Sequence, residues 1–239
     1  MDDLPYKKYL VVVIPYSGIL SFLYLYAYWG SFNINVLEFI SLSDLAKLAL
    51  FPFVASFISL SLGMIVGQFL TWKVFPPGGG ANTPLGRAAR KYWYVLILLN
   101  MVIILFVLIL ENEPHRWFTA ALLFSLYSVG FTDFKFAIEL IPNPSTRGFI
   151  LFLAVLALGM AFYIGKNEAY LVKTGYGHNL IDVERSKLPI RSDEKNPVSY
   201  LGHVSDFFVF YESLTKNIIF VKAKDDTTLF LKPNIKSKN

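Results

Sequence analysis

The sequence predicts a membrane all-α helical bundle, four spans with a candidate fifth, followed by a small C-terminal β-rich soluble domain. Three observations carry this. The chain is 55% hydrophobic and 17% aromatic but only 16% charged, whereas an ordinary soluble domain carries about 25% charge. The charges are unevenly placed, leaving residues 9–165 almost uncharged over long runs. After residue 166 the runs shorten and take the aromatic and β-branched composition of strands. The expected division is therefore a transmembrane domain over 1–165 and a soluble domain over 166–239.

Residues 9–29 form the first uncharged run, long enough for the roughly 20 residues that cross a hydrocarbon core of about 30 Å. It follows Lys7 and Lys8, ends in Tyr24, Tyr26, Tyr28 and Trp29, and has no small-residue cleavage site. An uncleaved span anchored by interfacial aromatics fits better than a signal peptide. The second span is expected between Lys47 and Lys73, with Ser41 and Asp44 at capping-box spacing and Pro52 early in the helix. The third opens on Tyr92, Trp93 and Tyr94 and runs to Leu110; the last occupies 148–165, bounded by Arg147 and Lys166. Residues 117–132 are short for a span, about 24 Å as an α-helix, and are diluted by Ser125, Tyr127, Ser128 and Gly130. They read either as a tilted crossing or as a re-entrant or protein-buried segment.

Basic residues set orientation. Lys73, Arg87, Arg90 and Lys91 follow the second span, while residues 30–42 have no Lys or Arg. The N-terminus and the 75–91 loop are thus expected in the cytoplasm of a bacterial inner membrane. The side of the tail is a tie. With four spans Lys166 and Lys173 join the inner set and Lys135 and Arg147 lie outside; with five the pairs exchange, and each model counts eight inside and four outside. The shortness of 117–132 and the Lys-rich C-terminus tip the expectation toward a cytoplasmic tail.

Within lipid, helices associate through small residues and hydrogen-bonding side chains. Ala55, Ser59, Gly63 and Gly67 form one such stripe, and Ala157, Ala161 and Gly165, continuing to Ala169, form another. Both suit packing within one chain or a homo-oligomer interface. Asn100, in an otherwise aliphatic third span, is expected to donate to a neighbouring helix, and Gln68 is a second polar candidate. Ser125, Tyr127, Ser128 and Thr132 would line a pore or re-entrant segment if one exists. Lys73, Arg87, Arg90 and Lys91 are candidates for docking a cytoplasmic protein.

In the tail, residues 203–211, 217–223 and 228–232 read as a three-stranded meander, with further strands at 170–173 and 179–183 around the Gly175-Tyr176-Gly177 turn; 185–196 reads as a loop. So small a domain has a thin core and leans on other protein or membrane. The run Ala161-Phe-Tyr-Ile-Gly165-Lys-Asn-Glu-Ala169, with Tyr200-Leu-Gly-His-Val-Ser-Asp206-Phe-Phe-Val-Phe-Tyr211 after it, resembles the ends of uncharacterised bacterial multi-span proteins with a C-terminal β-domain. The resemblance covers about 50 residues of the chain. It implies a setting in defence or toxin–immunity gene neighbourhoods and assigns a role to no residue.

Chemistry-bearing patterns are missing. Cysteine is absent, which excludes disulfides, thiolate catalysis and Cys-ligated zinc. The triple glycine at 78–80 lacks a following Gly-Lys-Ser/Thr and follows a membrane helix instead of a strand. His115, His178 and His203 have no metal-site spacing, even with Asp182 or Asp206 added, and no Gly-x-Ser-x-Gly elbow occurs. The formal charge of +5 is not arranged as a basic, aromatic-interleaved face, so nucleic acid is not an expected partner. No ionisable residue falls inside the four strong spans, which argues against ion-coupled transport. The expected role is non-enzymatic and cofactor-free: a membrane anchor or sensor subunit working through protein partners. A homo-oligomeric channel or membrane-disrupting effector, and an immunity-type protein that blocks a toxin, are the alternatives.

Overall fold

The computed structural model describes residues 6–35, 38, 84–176, 179–182, 185, 186, 188, 190, 197–223 and 228–233. The expected second span, with Ala55, Ser59, Gly63, Gly67 and Gln68, lies outside the described residues, as do Ser41, Asp44, Pro52, Lys73 and His178.

Helix α1 covers Tyr6–Gly30 and contains Pro15. Proline withholds a backbone donor. Close by, Ser17 donates to the Ile14 carbonyl at 2.8 Å and Ser21 to the Ser17 carbonyl at 2.9 Å. Both hydroxyls are buried and satisfied locally, which an apolar setting requires. Helix α2, Pro84–Lys91, begins on a proline at the first helical position, where the missing N–H costs nothing. It occupies the end of the 75–91 segment expected to be a loop; Arg87 and Lys91 are exposed on it. Helix α3, Trp93–Leu110, is the aliphatic third segment.

Residues 117–132 do not form one long helix. Helix α4, His115–Ser125, gives way to a 3-10 turn over Leu126–Phe131. Asn100 Nδ2 donates to the Leu123 carbonyl at 3.0 Å and Tyr127 Oη to the Ile97 carbonyl at 3.4 Å. As numbers rise in one segment they fall in the other, so 115–131 runs antiparallel along α3. Helix α5 is Lys135–Leu140. Helix α6, Pro144–Thr174, has 31 residues, about 46 Å at 1.5 Å each. Asn143 caps its start, its Oδ1 accepting from the Thr146 N–H at 3.2 Å. Arg147 is buried there and donates from Nη1 to the carbonyls of Ile141 (2.9 Å) and Pro142 (3.2 Å), closing the α5–α6 turn.

The segment 117–132 also lies antiparallel to α6: Trp117 stacks edge-on against Phe162 and Phe118 against Tyr163. Ala121 meets Gly159, and Thr132 approaches Gly148. Helices α1 and α6 run the other way relative to each other. Tyr16 Oη donates to the Ala154 carbonyl at 2.8 Å, Tyr28 is within electrostatic reach of Glu168, and Lys173 Nζ donates to the Ser31 carbonyl. Partner numbers climb together, so the two helices are parallel. Among the described residues, three helical stretches are long and apolar enough to cross a membrane: Val11–Gly30, Trp93–Leu110 and Thr146–Thr174.

The described chain divides into two compact units. One holds α1 up to Tyr24, α2 to α5, and α6 up to Tyr163; the other starts at Leu25 in α1 and Ile164 in α6 and includes the C-terminal sheet. That sheet has β1 (Asn179–Ile181), β2 (Val198–Val204), β3 (Phe207–Glu212), β4 (Ile218–Lys222) and β5 (Leu231–Pro233), antiparallel in the order β4-β3-β2-β1-β5.

Three details depart from the sequence expectation. The stretch 203–211 is a hairpin instead of one strand, because Ser205, with φ 51°, and Asp206 turn the chain between β2 and β3. The last strand pairs with β1, not β4, so the meander is broken. Residues 170–173 are the end of α6: Gly175, φ 81°, closes it, its N–H reaching the Val172 carbonyl (3.1 Å) while the Tyr176 N–H reaches Leu171 (2.8 Å). This is a Schellman cap, in which glycine takes the left-handed position without a Cβ penalty.

Candidate functional site

Buried aromatic and hydrogen-bonding residues gather where the ends of α1 and α6 meet β2 and β3, all inside the sheet-bearing unit. The arrangement begins with strand periodicity. Alternate side chains of a strand point to opposite faces, and on β3 the residues Val209, Phe210 and Tyr211 are all buried, so both faces are covered. Phe210, fully buried, joins Ile181, Ile190 and Val198 in the core of one face, with Tyr200, Phe208, Ile219 and Val221 packed around them. Tyr211, on the other face, meets the Phe32 ring with centroids 5.4 Å apart.

The end of α1 supplies the rest. Tyr28 Oη donates to the Leu201 carbonyl at 2.8 Å. Trp29, 4% exposed, stands edge-on to Tyr28, and Phe32 packs on the same ring. Trp29 fits because β2 is irregular at this point: the register shifts between Tyr200 and Gly202, and Gly202 has φ 151°. A Cβ at Gly202 would lie 3.4 Å from the Trp29 ring. Glycine is favoured here by its backbone angle, and the Trp29 ring lies at ordinary contact distance from where a Cβ would stand. From α6, Ala169 and Val172 are buried, and the Lys173 ammonium sits 5.4 Å from the Phe32 ring centroid while holding the Ser31 carbonyl. Desolvation holds the Tyr200 and Tyr211 phenols above their ordinary range. The junction carries apolar packing, the buried Tyr28–Leu201 hydrogen bond and the Lys173 cation near the Phe32 ring.

The sequence-predicted residues fall as follows. Asn100 bonds across to Leu123, leaving Oδ1 buried without a partner. Ser125 and Ser128 are buried, Ser125 donating to the Leu122 carbonyl at 2.6 Å, and Tyr127 is tied to α3. Thr132 faces Gly148. These four side chains are engaged in helix packing within the chain. Gly165 and Ala169 are buried on α6, whereas Ala157 and Ala161 are half-buried. Arg90 lies on α2 with Arg87 and Lys91, and Lys91 Nζ sits 5.5 Å from the Tyr92 ring centroid. His203 packs on Phe208. Among the described residues no group of three His, Asp or Glu side chains is placed to hold a metal ion.

Sequence reasoning missed Gly159, where an added Cβ would come within 2.5 Å of the Ala121 Cβ. It also missed the Trp29–Gly202 contact. A lone glycine in an aliphatic span and a glycine inside an aromatic strand were the signals available. In the helical unit a cleft of about 290 Å³, lined by residues including Tyr16, Phe131, Phe136, Leu151 and Leu158, is apolar throughout.

No protein-family model matches the chain, and no curated protein or solved structure matches it.

Proposed function

We propose that the chain is a non-enzymatic integral membrane anchor or sensor subunit of a bacterial inner membrane, whose C-terminal sheet engages a protein partner and passes that engagement to the membrane helices. The observation that carries the reading is the packed junction, in which the buried Trp29 of α1 lies against Gly202 on β2 and Tyr28 donates to the Leu201 carbonyl beside it. A merely tethered domain needs no such fit. Membrane insertion is supported by the three long apolar stretches and, from the sequence, by the expected span at 47–73. The non-enzymatic reading rests on the missing catalytic spacing and on the lack of ionisable residues in the expected spans. Assembly into a homo-oligomer, with lipid around it, and a place in bacterial defence, which rests on the resemblance alone, complete the proposal.

The test places a photo-crosslinking residue at Leu214, Phe220 or Phe230, all exposed side chains of the sheet-bearing unit, in the full chain in its own cells. A discrete adduct with a second polypeptide from one of these positions is expected. Adducts from none of the three, while lipid-facing controls on α3 crosslink normally, would overturn the partner reading. Release of the chain from membranes by alkaline carbonate would overturn the membrane reading.

A further inference from the structure

We infer that the chain crosses the membrane an odd number of times, that residues 115–131 make one of those crossings, and that the sheet therefore works on the side of the membrane opposite the N-terminus. The inference rests on the membrane reading above and adds the compartment of the partner. It also reverses the side to which span length and the Lys-rich tail had inclined the tail.

Two relations carry it. First, α1 and α6 are parallel, as the Tyr16–Ala154 and Lys173–Ser31 hydrogen bonds require. Two parallel crossings of one chain must be separated by an odd number of further crossings. Second, 115–131 lies antiparallel to both neighbours over nearly their whole apolar length: Asn100–Leu123 and Tyr127–Ile97 fix it on α3, and Trp117–Phe162, Ala121–Gly159 and Thr132–Gly148 fix it on α6. Whatever depth α3 and α6 traverse, this segment traverses in return. Its helix of 11 residues adds about 16 Å and its 3-10 turn of 6 residues about 12 Å more. That approaches a core of about 30 Å. The tighter coil explains how so few residues suffice, and burial of Ser125 and Ser128 against protein explains why their polarity is tolerated. With α3 and 115–131 cancelling, the expected span at 47–73 supplies the remaining crossing. The charge rule is satisfied equally by this arrangement, since it places Lys135 and Arg147 with Lys7, Lys8, Arg87 and Lys91.

The partner of the sheet then lies outside the cytoplasm, while the basic residues of α2 face the cytoplasmic leaflet, where anionic lipid attracts them. The chain has no cysteine, so single cysteines report without background. Leu214→Cys, Asn112→Cys, Asp133→Cys and Arg87→Cys all replace exposed residues. In intact spheroplasts a membrane-impermeant maleimide should label Leu214→Cys and Asn112→Cys as fully as after permeabilisation, and label Asp133→Cys and Arg87→Cys only after it. Protection of Leu214→Cys, or labelling of Asp133→Cys from outside, overturns the inference while leaving the membrane reading intact, provided the chain resists carbonate. Carbonate release overturns both.

Discussion

Gly202 shows how one residue can make a contact that its neighbours only permit. Its φ of 151° and the 3.4 Å approach of the Trp29 ring act on the same missing methyl group. Gly202→Val must accept a backbone angle costing L residues roughly 1–3 kcal/mol, with its Cβ 3.4 Å from the Trp29 ring. Thermal unfolding of the purified chain, followed by tryptophan fluorescence, should show a loss of about 1–3 kcal/mol. A variant as stable as the parent would mean that residue 202 does not hold this backbone angle. Gly159 poses the matching question between helices. Its added Cβ would stand 2.5 Å from the Ala121 Cβ and 2.9 Å from its Cα, so backbone as well as side chain must yield. Gly159→Leu is expected to cost about 1–3 kcal/mol through overpacking, measured by detergent-resistant melting, and Ala121→Gly beside it should recover part of the loss.

Among the elements, the sheet has a pH dependence whose sign can be worked out. Burial raises the phenols of Tyr200 and Tyr211, so the folded sheet holds these protons more tightly than the unfolded chain does. Stability is then fully present below the ordinary tyrosine value near 10 and declines as pH climbs through the raised values. Unfolding followed between pH 8 and pH 12 should show this decline, and Tyr200→Phe should flatten it. Elements also show what the sequence could and could not disclose. The apolar stretches of α1, α3 and α6 were legible because charge is excluded from them. The β2–β3 hairpin was not, because Ser205 and Asp206 interrupt an aromatic run that both faces of the sheet require. The extension of α6 to Thr174 was hidden for another reason: Lys166, Glu168 and Lys173 look like a membrane exit, yet a helix stabilised by protein contacts continues past the apolar run. Asn100 could be singled out from sequence as an interhelical donor, but its acceptor, the Leu123 carbonyl, depends on tertiary packing.

At the scale of the whole molecule, α1 and α6 each contribute residues to both compact units, so neither unit is folded from a separate stretch of chain. Leu25, Ala27, Tyr28 and Trp29 on the first helix, Phe32 just after it, and Ala169 and Val172 on the second belong to the sheet-bearing unit and are buried. Ending the chain at Thr174 would remove β1 to β5 and uncover part of this surface. Fully exposing one large apolar side chain forfeits about 1.5–3 kcal/mol. A loss of even about 2 kcal/mol lowers the melting temperature of a chain this size by roughly 4–8 °C. The truncated protein should therefore melt several degrees below the full chain and show more aggregate by size-exclusion chromatography in the same detergent. Trp29→Ser with Phe32→Ser, made in the truncated chain, should relieve the aggregation, since those rings would no longer have a sheet to cover them. If truncation instead left the melting of the helices unchanged, the sheet would be a passive appendage, and events at its surface would have no route into α1 through Trp29.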